Sequence, residues 1–349
     1  LTVLHTPGHT MESTTYLLRD SSNKDVAIFS GDTLFLGDVG RPDLAQKSGN
    51  ITQDDLAGIL FESLRTKIMP LADDVLVYPA HGSGSACGKN LSKETVGTLG
   101  EQKKTNYALR ADMTKKEFIL EVTDGLLPPP QYFPLNVKMN KDGYKDIDKV
   151  IKTGTTALDP DSFEKLANQS KAIILDVRHR DDFAKEHIPQ SIFIGLDGGF
   201  APWAGTMLGD ITLPILLITP NGREEETVTR LARVGFDNTL GYLKGGLKAW
   251  KKDKRVTDSI NCIGAKKFFE LDKNVGLDIF DLRKQGEYAF EHIPFSQNIP
   301  LDVINQNMNL LPKVSPFYIH CAGGYRSMIA ASILKSRGIH NFIDVKGGL

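Results

Sequence analysis

Cysteine is scarce: the chain has three in 349 residues. Three thiols cannot form a disulfide framework in a chain this long, which fits a reducing, cytoplasmic compartment and makes each thiol worth weighing singly. Charge of one sign is also lacking. Lys and Arg number 42 against 43 Asp and Glu, so no broad field exists to hold nucleic acid or an anionic membrane surface, and a charged ligand must be met by local groups. No apolar run approaches the ~20 residues that span a bilayer; Leu213 to Ile218 is among the longest. No signal peptide is visible, and the sequence opens on Leu1 rather than Met, inside a motif. The expectation is a fragment of a soluble protein, with residues of that motif set lying upstream.

What is present is a repeat. Asp176 and Glu186-His187-Ile188-Pro189 recur as Asp281 and Glu291-His292-Ile293-Pro294 at an offset of 105, and Lys244-Gly245-Gly246-Leu247 recurs as Lys346-Gly347-Gly348-Leu349 at an offset of 102. A period of ~100 residues is too long for a solenoid unit and suits a small domain. The second copy stops at Leu349, where the first continues Lys248-Ala249-Trp250, so it reads as cut short. Within each copy, buried-strand patterns (172–176 and 214–218, then 275–281 and 316–319) precede loops and helices that stop before Gly235 and Gly338. Strand-helix alternation predicts α/β domains with parallel sheets, whose ligand sites lie at strand C-termini, here loops 219–224 and 321–326.

The N-terminal third has another grammar. Strands are predicted at 25–29 and 74–78, with Leu56, Ile59, Leu60, Leu64 and Ile68 on one face of a helix between them. Consecutive prolines exclude a helix across Gly125 to Pro134. The expected organisation is domain 1–127, a Pro-rich linker 128–145, and repeat domains 146–255 and 256–349. Three segments place polar residues where strands end: His5-Thr6-Pro7-Gly8-His9-Thr10, Ser30-Gly31-Asp32-Thr33 and Tyr78-Pro79-Ala80-His81-Gly82. A sheet gathers strand ends on one rim, so His9, Asp32 and His81 can converge on a cation, although each alone is also compatible with a hydrogen-bonded structural role.

These three segments resemble the later metal-site motifs of the metallo-β-lactamase superfamily, in the branch holding glyoxalase II and the persulfide dioxygenases. Gly37-Asp38-Val39-Gly40-Arg41-Pro42-Asp43 and the loop from Gly82 to Lys89 resemble bacterial dioxygenases fused to rhodanese domains. The resemblance implies an αββα sandwich with His9 and Asp32 as metal ligands, His5 in support and His81 outside the ligand set of a dioxygenase. The leading HxHxDH motif of that family is not in this sequence, and its ligand is expected upstream of Leu1. Two histidines and a carboxylate on one face suit one non-haem Fe(II) per chain. Arg41 is a candidate anchor for a carboxylate or phosphate of a thiol carrier, against an ion pair with Asp38 or Asp43. Cys87 reads as a packed small hydrophobe or as a thiol that handles sulfur beside the metal.

The strongest local signal is His320-Cys321-Ala322-Gly323-Gly324-Tyr325-Arg326-Ser327. A glycine-containing loop between a strand and a helix can turn its N–H groups inward and stabilise a thiolate or anion. Cys321 is then a nucleophile able to carry a second sulfur, with Gly323, Gly324 and Arg326 binding the sulfur anion. The loop resembles the rhodanese active loop; phosphatases of related fold place one more residue between Cys and Arg than the four found here. In the first copy the equivalent positions are Thr219 and Glu224, so that domain reads as a degenerate rhodanese. His187 and His292 recur in both copies and read as structural, Cys262 as core, and Phe200, Trp203 and Trp250 as packing.

The resemblance as a whole implies a cytoplasmic α/β multidomain enzyme that oxidises a low-molecular-weight thiol persulfide with O2 to sulfite and exchanges sulfur with thiosulfate at Cys321. Self-association is compatible with it; nucleic acid and membrane are not expected partners. The alternatives are a dinuclear zinc thioester hydrolase carrying rhodanese domains, and a non-catalytic persulfide relay.

Overall fold

The computed structural model describes residues 1–43, 51–83, 85, 87–89, 91–126, 132–272 and 276–348. Two compact units divide it, Leu1–Pro134 and Leu135–Leu349. The first carries a five-stranded sheet in the order β1 (Thr2–His5), β2 (Thr14–Arg19), β3 (Asp25–Gly31), β4 (Leu76–Pro79) and β5 (Gly97–Thr98). Strands β1 to β3 pair antiparallel, and β3 and β4 pair parallel across the helix Gln53–Ser63. Strands β1, β3 and β4 therefore run in one direction, and the segments that follow them share a rim.

One face of this sheet is a core and the other is not. Leu17, Ile28 and Val77 lie in one cross-strand row and are buried with Leu56, Leu60, Leu64 and Ile68, four of the five helix positions expected to face inward; Ile59 is half-buried. The helix starts on a capping box, Thr52 accepting from the Asp55 amide while the Asp55 carboxylate accepts from Thr52. On the opposite face Val3, Tyr16, Phe29 and Tyr78 form a second row across four strands, at 62%, 45%, 45% and 38% exposure. Phe29 and Tyr78 stack with centroids 5.4 Å apart. The described residues thus supply one sheet and helices on one of its faces, half of an αββα sandwich, and leave apolar an outer face of the kind a second sheet covers.

The second unit holds two parallel sheets of one topology. The first copy orders its strands β6 (Ala157–Leu158), β10 (Thr239–Leu243), β9 (Ile215–Ile218), β7 (Ile173–Asp176) and β8 (Ile192–Phe193). The second orders β11 (Cys262–Gly264), β15 (Phe342–Lys346), β14 (Phe317–His320), β12 (Ile279–Asp281) and β13 (Gln297–Asn298). Counted within each copy the order is the same, and every pairing is parallel. The central strands β9 and β14 are wholly buried, so the loop after each opens on the middle of the sheet, where doubly wound folds bind ligands. In both copies the Asp that ends the neighbouring strand, Asp176 or Asp281, is fully buried and bound by an Arg two residues on, Arg178 or Arg283.

The boundary departs from the expected linker. Phe133–Asp142 is helical, and Pro134 is tolerated in its first turn because an N–H there has no intrahelical acceptor. Residues 127–131, the proline run itself, lie outside the described residues, as do Val275 at the start of one predicted strand and Leu349.

The exposed row has a measurable consequence. Phe29→Lys combined with Tyr78→Glu sets opposite charges side by side on that face and should change stability by no more than about 1 kcal/mol. Fluorescence of the apolar-surface dye ANS should fall severalfold in the variant; undiminished binding would show that this row is not the accessible apolar surface.

Candidate functional site

On the shared rim of the first sheet, the loops after β1, β3 and β4 bring His9, Asp32 and His81 together. His9 Nε2 lies 3.3 Å from Asp32 Oδ2, and His81 Nδ1 lies 2.8 Å from Asp32 Oδ1. His9 Nδ1 donates its hydrogen to the Arg41 carbonyl at 2.8 Å, which turns the ring so that Nε2 faces Asp32. Burial pushes the Asp32 carboxyl up, but the two histidines outweigh it and hold the group below its usual range. Cys87 completes a cluster, with one ligand atom each from His9, Asp32 and Cys87 lying within 4.8 Å of one another. Burial pushes the Cys87 thiol up, and the Asp32 charge adds to this. A buried imidazole nitrogen, a carboxylate and a sulfur facing one point, with the histidine tautomer fixed from behind, fit a bound metal ion. His5 stands apart, bonded to the Met11 carbonyl.

Arg41 is placed otherwise than a ligand anchor would be. Its guanidinium is bound through two nitrogens by Asp43, at 2.6 Å each, while its carbonyl holds His9 and its N–H donates to the Cys87 carbonyl at 3.0 Å. It acts as a strut between His9 and the Cys87 loop. Asp38 does the same from the other side: its carboxylate accepts from the Tyr107 hydroxyl, 2.9 Å, and the Val39 amide, 2.8 Å, while Asn106 donates to its carbonyl. Nothing local in sequence marks Asn106 and Tyr107 for this, since they lie almost 70 positions away on a 3-10 turn.

In the second copy Cys321 directly follows the central strand and is 1% exposed. Its Sγ accepts from the Gly324 amide at 3.1 Å and the Ser327 amide at 3.4 Å, with the Ser327 hydroxyl 3.7 Å away. Gly324 caps the helix Tyr325–Ser336 with φ +86°, a conformation that lets its N–H turn back onto the sulfur. The loop is closed from above by Gly348, where a Cβ would fall 2.1 Å from the Cys321 carbonyl oxygen. Gly323 lies in the loop as expected. Arg326, expected to bind the sulfur anion, is held by Glu287 through two hydrogen bonds of 2.6 and 2.8 Å, and this pair lowers the Glu287 carboxyl to about 2. Glu287 is a partner that sequence spacing does not reveal.

The degenerate copy builds the same loop and fills it. The Glu224 carboxylate accepts from the Gly222 amide at 3.1 Å and the Thr219 hydroxyl at 3.2 Å. A carboxylate of the chain itself sits where the second copy offers donors to sulfur. His187 and His292 each donate Nδ1–H to a carbonyl one turn back, Phe183 or Tyr288, and stack on that residue's ring at 4.0 Å. Trp250 and Phe200 are buried, and Trp203 is half-buried. Cys262, expected in the core, is instead half-buried on the wall of a cleft of about 810 Å³ between the copies. Burial and the nearby Asp344 carboxylate push its thiol up to about 11.

A metallo-β-lactamase-type sheet with a His, Asp and Cys cluster on its rim, followed by two α/β domains of one topology with amides aimed at a cysteine sulfur in the second, defines a fusion of a metallo-β-lactamase fold with rhodanese-like domains. The chain belongs to the rhodanese-like domain family, which matches residues 159–253 and 265–349. It is similar to the crystal structure of a metallo-β-lactamase from Staphylococcus aureus subsp. aureus COL, with a TM-score of 0.59 and 31% identity over 70% of this chain and 67% of that one. It is 33% identical over 135 residues, 38% of its length, to the mitochondrial persulfide dioxygenase ETHE1 of Mus musculus. A further match is the hydroxyacylglutathione hydrolase GloC of Haemophilus influenzae, 33% identical over 109 residues, 31% of this chain. The chain spans 44% and 40% of the length of these two curated relatives.

Asp344, in β15 behind the Cys321 loop, yields a pH prediction. It is 1% exposed, Oδ1 has no hydrogen-bond partner, and burial raises its carboxyl to about 6. A folded value raised above the unfolded one favours the folded state below pH ~4 and withdraws that stability as pH rises through ~6, a difference of about 3 kcal/mol. Asp344→Asn should therefore be more stable than the parent in urea titrations at pH 7.5 and equal to it near pH 4. A constant difference across that range would exclude Asp344 as the titrating group.

Proposed function

We propose that the protein is an enzyme of sulfur metabolism that oxidises the terminal sulfur of a small thiol persulfide with O2 and exchanges sulfane sulfur with sulfite or thiosulfate at Cys321. The observation that carries the sulfur-transfer half is the Cys321 sulfur held by two backbone amides at a helix start. Amide donors aimed at sulfur stabilise both a thiolate and the outer sulfur of a persulfide, while the loop excludes bulk water. The oxidation half rests on similarity to the persulfide dioxygenase and on the buried pair of His9 and Asp32. Fe(II) held by these residues would supply the O2 and sulfur binding that side chains lack. The chain's own part is to fix the His9 tautomer through the Arg41 carbonyl, keep Asp32 ionised, and set the Cys87 thiol beside them.

A second reading, thioester hydrolysis at two zinc ions, draws on similarity to the hydroxyacylglutathione hydrolase and on His81, which reaches the same carboxylate as His9. Metal content separates the two. The full-length protein should bind about one iron per chain and consume O2 when given a thiol persulfide, and Asp32→Ala should lower both more than tenfold. Two zinc ions with thioester cleavage and no O2 uptake would overturn the oxidation reading. Cys321→Ser should abolish transfer of sulfur from thiosulfate to cyanide while O2 uptake stays within about twofold of the parent; joint loss would show that the two centres do not act independently.

A further inference from the structure

The cation that the active loop carries in its own sequence is already engaged, and another takes up position from the neighbouring copy. Arg326 is tied through two hydrogen bonds to Glu287, and Arg283, on the neighbouring strand, to Asp281. Arg180, in the degenerate domain just after β7, reaches across instead: its Nη1 donates to the Gly323 carbonyl. A Cβ at Gly324 would meet Nη1, Cζ and Nε of the same guanidinium at 3.5, 3.6 and 3.7 Å, so the cation lies against the residue whose amide touches the Cys321 sulfur. Among the described residues no carboxylate forms an ion pair with Arg180, and one carbonyl contact leaves most of its five N–H donors for a ligand.

The rest of that interface fixes this arrangement. The Tyr325 hydroxyl donates to the Gly195 carbonyl at 2.7 Å, its ring meets Phe193 edge-on at 6.1 Å, and a Cβ at Gly198 would fall 2.8 Å from that ring. Deeper in, the Phe193 amide donates to the Ser332 hydroxyl at 2.9 Å. Residues 193 to 198 of the degenerate copy therefore grip the first turns of the helix that starts at the active loop, and Arg180 leans over the loop itself.

We propose that Arg180 is the specificity-determining cation of the Cys321 site, and that the degenerate domain persists because it completes an anion subsite for small sulfur oxyanions such as thiosulfate and sulfite. The inference rests on the reading of Cys321 as a sulfur carrier. In the forward step the Cys321 thiolate attacks the outer sulfur of thiosulfate, the S–S bond of thiosulfate breaks, and sulfite leaves with the electron pair, giving a Cys321 persulfide. No other oxidant or reductant is needed, and total charge is unchanged. The anionic oxygens that thiosulfate carries before the step and sulfite after it are what a guanidinium with unused donors binds, so its loss falls on KM.

Two measurements on the full-length protein test this, and the second does not require sulfur transfer. In thiosulfate-to-cyanide assays, Arg180→Ala should raise the KM for thiosulfate about tenfold or more and change kcat less than about threefold, with Arg180→Lys in between. A neutral donor, an organic trisulfide, should react equally well with parent and variants. Equal losses for both donors, or an unchanged KM, would reduce Arg180 to a structural contact and overturn the proposal. In the second, Cys321 is alkylated with neutral iodoacetamide or anionic iodoacetate, with and without sulfite. Arg180→Ala should slow only the anionic reagent and abolish protection by sulfite, whereas Arg180-independent protection would overturn the anion subsite. Should the parent transfer no sulfur yet show Arg180-dependent protection, the sulfur-carrier reading fails and the anion subsite stands.

Discussion

A buried sulfur must be given donors in place of the water it has lost, and the second rhodanese-like domain is arranged around that requirement. The donors are amides of the chain, available because a central parallel strand ends under the start of a helix whose first N–H groups have no acceptor of their own. Each neighbouring feature keeps those amides aimed. Gly324 takes a left-handed turn, and Gly348 lets the exit of β15 pass within contact of the loop backbone. Asp281 and Arg283 lock the adjacent strand end to the Glu291 carbonyl, as Asp176 and Arg178 do to Glu186 in the first copy.

The two copies form an internal control on that logic. Strand order, the Asp–Arg lock and the stacked histidine are common to both, so they serve the fold rather than the chemistry. What differs is confined to the loop and its lid. The first loop satisfies its donors with Glu224, and a Cβ at Gly246, the counterpart of Gly348, would meet nothing within 4 Å. A domain that has filled its own anion cradle has no use for the lid, while the surface it presents to its twin is elaborated with Phe193, Gly195, Gly198 and Arg180.

Much of this was legible in the residues because it is local. The Cys-to-Arg loop, the offset repeats and the strand ends at His9, Asp32 and His81 are short motifs whose placement follows from parallel strand direction alone. What sequence did not reveal is non-local pairing. Glu287 lies 39 positions from the Arg326 it binds, and Asp43, although close to Arg41, has a competitor in Asp38 on the other side. Cys262, with no motif around it, reads as core, yet it lines a cleft between the copies, which nothing in its local sequence announces. Pro134 ends a proline-rich stretch whose sequence excludes a helix, yet at the first turn of a helix it breaks nothing.

The same distinction governs the His9, Asp32 and Cys87 cluster. Its residues come from loops that the sheet brings to one rim, but their alignment depends on atoms without a signature in sequence: the Arg41 carbonyl that orients His9, and the Asp38 carboxylate that accepts from Tyr107. Backbone carbonyls can do this for any side chain, so the identity of residue 41 is fixed by something else, its ion pair with Asp43 inside a buried turn. Removing one partner of so buried a pair strands the other's charge, at a cost of several kcal/mol. The carbonyl that orients His9 is therefore held by an electrostatic requirement of its own.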